Sequence, residues 1–172
     1  VTTAQDKKAY CVGTFISEEI RPDKKILRHY SMQDPITTYL SNIAAANYAV
    51  FKKVHTGRYR NIPFELIAKP ADIAKMEEQF INLDKAVDCF EFWFGPYRFE
   101  RVGYVATTVG AMEHPTNVAY PISSVLGSSL NQNERLFAHE LGHHWWGDIT
   151  TLDDARDMWI KEGTAEYSSH LF

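Results

Sequence analysis

The stretch His139-Glu140-Leu141-Gly142-His143 constrains this chain more than any other. It reads H-E-x-x-H, and its chemistry requires a helix. Residues four apart on an α-helix are separated by about 400° of turn and about 6 Å of rise. His139 and His143 therefore share a face, and each can direct an imidazole nitrogen at one metal ion. Glu140 lies about 100° further round than His139. That direction is poor for a third ligand and suits a base that takes a proton from metal-bound water. The third ligand has to come from elsewhere. Glu162 offers it after an 18-residue gap, within Trp159-Ile160-Lys161-Glu162-Gly163-Thr164-Ala165-Glu166-Tyr167. Two histidines, a glutamate and a water form an open, four-coordinate catalytic zinc arrangement. The expected cofactor is one Zn2+ per chain, held by His139, His143 and Glu162, with zinc preferred over cobalt or manganese on chemical grounds.

Composition narrows the remaining classes. The 172 residues suit one domain or two small ones, and 45% hydrophobic content supplies a core. A net charge of −4 with no basic stretch leaves nucleic-acid binding unsupported. No apolar run approaches the length of a membrane span. Cys11 and Cys89 form no C-x-x-C pair and no disulfide framework, so both are expected as buried free thiols. The sequence begins at Val1 and stops at Phe172, directly after an expected helix, and so reads as a piece of a longer polypeptide.

Pattern along the chain predicts an α+β fold. Residues 10–16 and Lys25–Tyr30 read as strands of a hairpin around the turn Arg21-Pro22-Asp23-Lys24. Residues 36–55 carry both helix and strand signals, and the later motifs favour strands. Ile62–Ala68 reads as a further strand. One long amphipathic helix follows: Ile73, Met76, Phe80, Leu83, Val87, Phe90 and Phe94 step by three and four, with Asp72 as cap and Gly95-Pro96 as stop. Its charges, Glu91 included, are expected in solvent. Strands are expected at Arg101–Thr108 and Asn117–Ile122. The metal helix is expected over Gln132–Trp146, with Asn131 and Glu134 at capping-box spacing. A solvated acidic loop with Asp153, Asp154 and Asp157 leads to a last helix from about residue 159, with Glu162 and Glu166 on one face.

Three blocks, G-A-M-E-H-P at 110–115, H-E-L-G-H-H-W-W-G-D at 139–148 and W-I-K-E-G-T-A-E-Y at 159–167, resemble the aminopeptidase N family of gluzincin zinc metallopeptidases, which also contains leukotriene hydrolases. Thr38-Tyr39-Leu40 and Phe94-Gly95-Pro96-Tyr97 are further landmarks, so the resemblance covers about residues 36–172. It implies that residues 1–69 end a β-rich N-terminal domain. Residues 70–172 would then be the first lobe of a thermolysin-like (zincin) catalytic domain. It implies zinc on His139, His143 and Glu162, with Glu140 as general base. Glu113 would bind the free α-amino group of a peptide substrate. The implied activity is removal of N-terminal residues by attack of zinc-bound water. A carboxylate facing an ammonium is a contact that an internal peptide bond cannot supply, which gives exopeptidase selectivity a physical basis.

The resemblance also implies a tyrosine that stabilises the oxyanion. None follows Tyr167, so that residue is expected beyond Phe172, in a missing C-terminal part of the same chain. Losing one such donor lowers rates by about a hundredfold to a thousandfold, so the isolated piece is expected to be weakly active or inactive. Three positions depart from the family pattern: His114 for asparagine, His144 for glutamine and Asp148 for asparagine. His114 reads as a surface histidine that bears on substrate preference, and His144 is not read as a ligand. Asp148 either orients a ligand histidine or is a helix-end acid. Glu166 is a candidate for orienting a ligand, and Trp145 and Trp146 read as packing. Alternatives are another zinc hydrolase of the family, an endopeptidase or an epoxide hydrolase, or a non-catalytic binding module that keeps the fold. The full set His139, Glu140, His143 and Glu162 counts against the binding module.

Overall fold

The computed structural model describes residues 1–172. In chain order the elements are β1 (Thr2–Thr3), β2 (Lys8–Cys11), β3 (Thr14–Ile20), β4 (Ile26–Ser31), β5 (Ile43–Ala46), β6 (Ala49–Thr56) and β7 (Asn61–Ala68). Then come α1 (Ile73–Gln79), α2 (Leu83–Phe94), β8 (Val102–Thr107), β9 (Val118–Pro121), α3 (Ile122–Gly127), α4 (Leu130–Gly142) and α5 (Met158–Ser169). The fold is α+β, as expected.

The sequence hairpin exists: β3 and β4 pair antiparallel from Thr14↔Ser31 to Ile20↔Ile26. The single strand expected over 10–16 is instead two strands in different sheets, because β2 pairs with β5. Gly13 makes the break with φ +87°, and a Cβ there would lie 2.4 Å from the Ser31 carbonyl oxygen. Only glycine fits that approach. Residues 36–55 supply β5 and β6, but Thr38–Leu40 is a 3-10 turn rather than a strand.

The sheet that positions the site has strand order β6-β7-β8-β9. β6 and β7 are antiparallel, while β7, β8 and β9 run parallel. This sheet is continuous across residue 69, with β7 before that point and β8 after it. β8 is buried along nearly its whole length, as a central parallel strand must be. Val102, Tyr104 and Ala106 face the main core with α1, α2 and α4, and Val105 packs with Ala44, Tyr48 and Ile67 on the opposite face.

The long helix expected over 73–94 is two helices, α1 and α2, broken at Phe80–Asn82. The apolar spacing survives the break, so periodicity alone could not reveal it. A contact from α4 stabilises it: the Asn133 amide donates to the freed Gln79 carbonyl at 2.8 Å. Asn82 donates to Glu134 at 2.6 Å. Glu134 is thereby occupied, and the capping box of α4 is Ser129 with Gln132 rather than Asn131 with Glu134. Asp72 holds the N-cap position of α1 without a side-chain bond. Glu91 is fully buried rather than solvated, and accepts from the backbone N–H groups of Arg58 and Tyr97 at 2.7 and 3.1 Å. Cys11 is buried and Cys89 half-buried, both as free thiols. No helix is long and apolar enough to cross a membrane.

Candidate metal centre

Aromatic residues of the sheet set the height and rotation of α4. Tyr104 donates its hydroxyl to the Phe137 carbonyl at 2.7 Å, and Tyr120 donates to Asn133 Oδ1 at 2.7 Å. Phe80 stacks on Phe137 with ring centres 5.0 Å apart and meets Tyr104 and Tyr120 edge-on. Regular helix ends at Gly142 rather than Trp146, but His143 keeps helical φ and ψ as the C-cap. The i to i+4 alignment of His139 and His143 therefore survives. Gly142 also lets α5 approach, since a Cβ there would lie 3.2 Å from the Ser168 Cβ, closer than ordinary contact. That approach brings Glu162 to the histidines.

His139 Nε2 and His143 Nε2 are 3.2 Å apart, and Glu162 Oε2 is 3.5 and 3.4 Å from them. Three donor atoms at the corners of a tetrahedron with bonds of about 2.0–2.1 Å would be separated by about 3.3 Å. The observed triangle matches that requirement, so the residues fit a zinc ion. The other nitrogens of the two imidazoles are also engaged. His139 Nδ1 lies 3.2 Å from Glu166 Oε2, and His143 Nδ1 lies 3.2 Å from the Trp146 carbonyl oxygen. A proton on each Nδ1 leaves Nε2 free to ligate. Arg135 grips Glu166 at 2.6 Å from the opposite side. Glu166 thus contacts His139, whereas the Asp148 side chain reaches neither His139 nor His143. The side chain of Asp148 lies against His144, 3.9 Å from Nε2.

Glu140 is 5% exposed. Burial, then the charges of Glu113 and Glu162, push its carboxyl up to about 8. Glu113 is buried too, carried by the loop in which Met112 pairs with Ala119 beside β9. Burial opposes its ionisation, but the Lys161 ammonium and the nearby His143 prevail and hold its carboxyl below the usual range. Lys161 bridges Glu113 and, at 3.5 Å, Glu162 Oε1. Burial would lower the Lys161 ammonium, but Glu113 more than offsets it and raises it. The sequence reading passed over Lys161, and nothing in the sequence marks it, because its partner is 48 residues away.

The departures from the family pattern are structural. His114 is half-buried rather than a surface residue, and its Nδ1 lies 3.0 Å from the Leu40 carbonyl oxygen. Burial lowers its pKa, so the neutral ring donates from Nδ1. Asn42 and Asn117 exchange bonds beside it, with Asn42 donating to the Asn117 carbonyl at 2.8 Å. His144 is fully buried and, by that burial and the nearby His143, is held neutral down to about 3. Its Nδ1 meets the Tyr97 hydroxyl at 3.0 Å. Trp145 packs on Phe90 and donates to the Gly95 carbonyl, as expected of a packing residue. Trp146 is 38% exposed and touches Phe94 at its edge.

Residues 75–172 match the Peptidase family M1 domain. The chain belongs to peptidase family M1. Among M1 relatives it is 30% identical to rabbit (Oryctolagus cuniculus) aminopeptidase N over 134 residues, covering 70% of this chain and 14% of that protein. It is 29% identical to Bos taurus glutamyl aminopeptidase over 149 residues, with 80% and 15% covered. Tricorn protease-interacting factor F2 of Thermoplasma acidophilum aligns over 99% of the chain at 23% identity, covering 22% of that protein. The chain therefore spans less than a quarter of the length of these relatives. Its fold matches the M1 zinc metallopeptidase from Deinococcus radiodurans with TM-score 0.83 at 24% identity, covering 99% of this chain and 38% of that one.

Proposed function

We propose that this M1 chain builds the zinc centre and the amine-recognition corner of an aminopeptidase, acting on peptides with a free N-terminus. The observation that carries the reading is the triangle of His139 Nε2, His143 Nε2 and Glu162 Oε2, with sides of 3.2, 3.4 and 3.5 Å. A zinc ion bound there supplies Lewis acidity, which polarises a carbonyl and lowers the pKa of water to about 7.

The chain's own residues do the rest. Glu140 takes a proton from the attacking water and returns it to the leaving amine. Burial and the neighbouring carboxylates push its carboxyl up towards about 8, and the charge of a bound zinc ion would pull it back towards the range in which it is ionised and can accept that proton. Glu113 is the charged anchor for the substrate's α-ammonium, and the His114–Leu40 bond fixes the loop that carries it. Glu166 and the Trp146 carbonyl hold the two imidazoles in register. We place the start of the catalytic lobe at β6, because β6 and β7 share a sheet with β8 and β9.

Metal analysis and kinetics on the purified protein test the reading. About one zinc per chain is expected, and His143→Ala should lose it. Glu140→Gln should keep the zinc and abolish the weak hydrolysis of an aminoacyl anilide expected of the parent. Equal cleavage of the free and N-acetylated anilide would remove the amine-anchoring role of Glu113 and favour an endopeptidase.

A further inference from the structure

Lys161 has no part in the reaction just described, yet its side chain is only 6% exposed. Its ammonium pairs with Glu113 and lies 5.2 Å from the centre of the Tyr39 ring. Its stem crosses Gly147, where a Cβ would lie 2.8 Å from the Lys161 Cγ. The 38–40 turn, the Glu113 loop and α5 together form a cage with the Glu113 carboxylate, the Glu162 carboxylate at its edge, and one aromatic face. That is the chemistry that recognises an ammonium group. The cage is filled by the protein's own cation.

We propose that Lys161 is an internal competitor for the amine subsite, holding Glu113 and the Tyr39 face until a peptide's free N-terminus displaces it. This rests on the amine-anchoring reading of Glu113. Exchanging one ammonium for another keeps the buried carboxylate paired throughout, whereas expelling Lys161 with a neutral group would leave it bare. An N-acylated peptide therefore cannot open the subsite, and selectivity gains a repulsive element beside the attractive one. A cleft of about 270 Å³, lined by Trp146, Gly147, Thr151, Ile160, Lys161 and Thr164, gives the displaced side chain somewhere to go.

Calorimetric titration of the zinc-loaded protein with L-leucinamide and N-acetyl-L-leucinamide tests the proposal. Affinity for the free amine is reduced to its intrinsic value multiplied by the fraction of time that Glu113 is uncovered; if Lys161 covers it nine-tenths of the time, Lys161→Met tightens leucinamide binding by about tenfold. The acetylated ligand should not respond, and Lys161→Arg should keep the parent's weak affinity. Unchanged or weaker leucinamide binding by a Lys161→Met protein with the parent's circular dichroism overturns the proposal. If that variant does not fold, the lysine Nζ resonances of the parent decide. The Lys161 signal must shift with leucinamide, and an unmoved signal at saturation overturns the competitor role. Glu113→Gln separates the two readings. If it weakens leucinamide binding while Lys161→Met changes nothing, only the competitor role is lost. If parent and Glu113→Gln bind both ligands alike, the amine site itself is lost.

Discussion

Asp148 is the most sharply testable residue outside the ligands. It is 4% exposed, and neither of its side-chain oxygens has a hydrogen-bond partner. Burial, reinforced by the charge of Glu113, pushes its carboxyl from an ordinary 3.8 up to about 9. The native protein therefore carries Asp148 neutral at pH 7, while the unfolded chain carries it ionised. For an acid with a raised native pKa, stability is whole below the unfolded value and drains away as pH climbs towards the native value. Each unit of that climb is worth about 1.4 kcal/mol. Asn is close in shape to a protonated carboxyl and does not titrate. In the chelator-treated protein, Asp148→Asn should therefore match the parent near pH 3.8, exceed it by about 2 kcal/mol at pH 5 and by about 4 kcal/mol at pH 7. Urea unfolding of both proteins across this range measures the difference, and equal slopes would show that the unfolded states are comparable. A difference that stays flat with pH, or a variant less stable than the parent at pH 7, would refute the neutral buried acid.

Two other substitutions probe the supports of the site. Glu166→Ala should weaken zinc binding by about tenfold to a hundredfold in a chelator competition, because His139 loses its Nδ1 partner; unchanged affinity would make the 3.2 Å contact incidental. Asn133→Ala strands the buried Gln79 carbonyl at the break between α1 and α2 and should lower unfolding stability by about 1–3 kcal/mol. A loss under about 0.5 kcal/mol would mean that water or a straighter helix replaces that bond.

Much of the centre was legible before any coordinates. The spacing of His139 and His143, the direction of Glu140 and the hairpin around Arg21–Lys24 follow from local geometry, which a short stretch of sequence encodes. Tertiary context overrode local pattern elsewhere. The helix expected to run unbroken from residue 73 breaks at 80–82 because Asn133, more than fifty residues on, caps a carbonyl there. Glu91 looks like a solvated helix charge, but it is buried because the 57–58 turn and Tyr97 bring N–H donors to it.

The sequence by itself determined which atoms can meet a metal, because a helix puts i and i+4 on one face whatever surrounds it. It also determined the family, through three blocks in their order. Only the tertiary structure decided what Glu113 faces. The strand order that carries its loop past α5 brings the carboxylate against Lys161, and no local spacing encodes that pairing. The same holds for Asp148 and His144, whose side chains read as polar and are buried beneath the site. Their protonation follows from the burial that the assembled fold imposes.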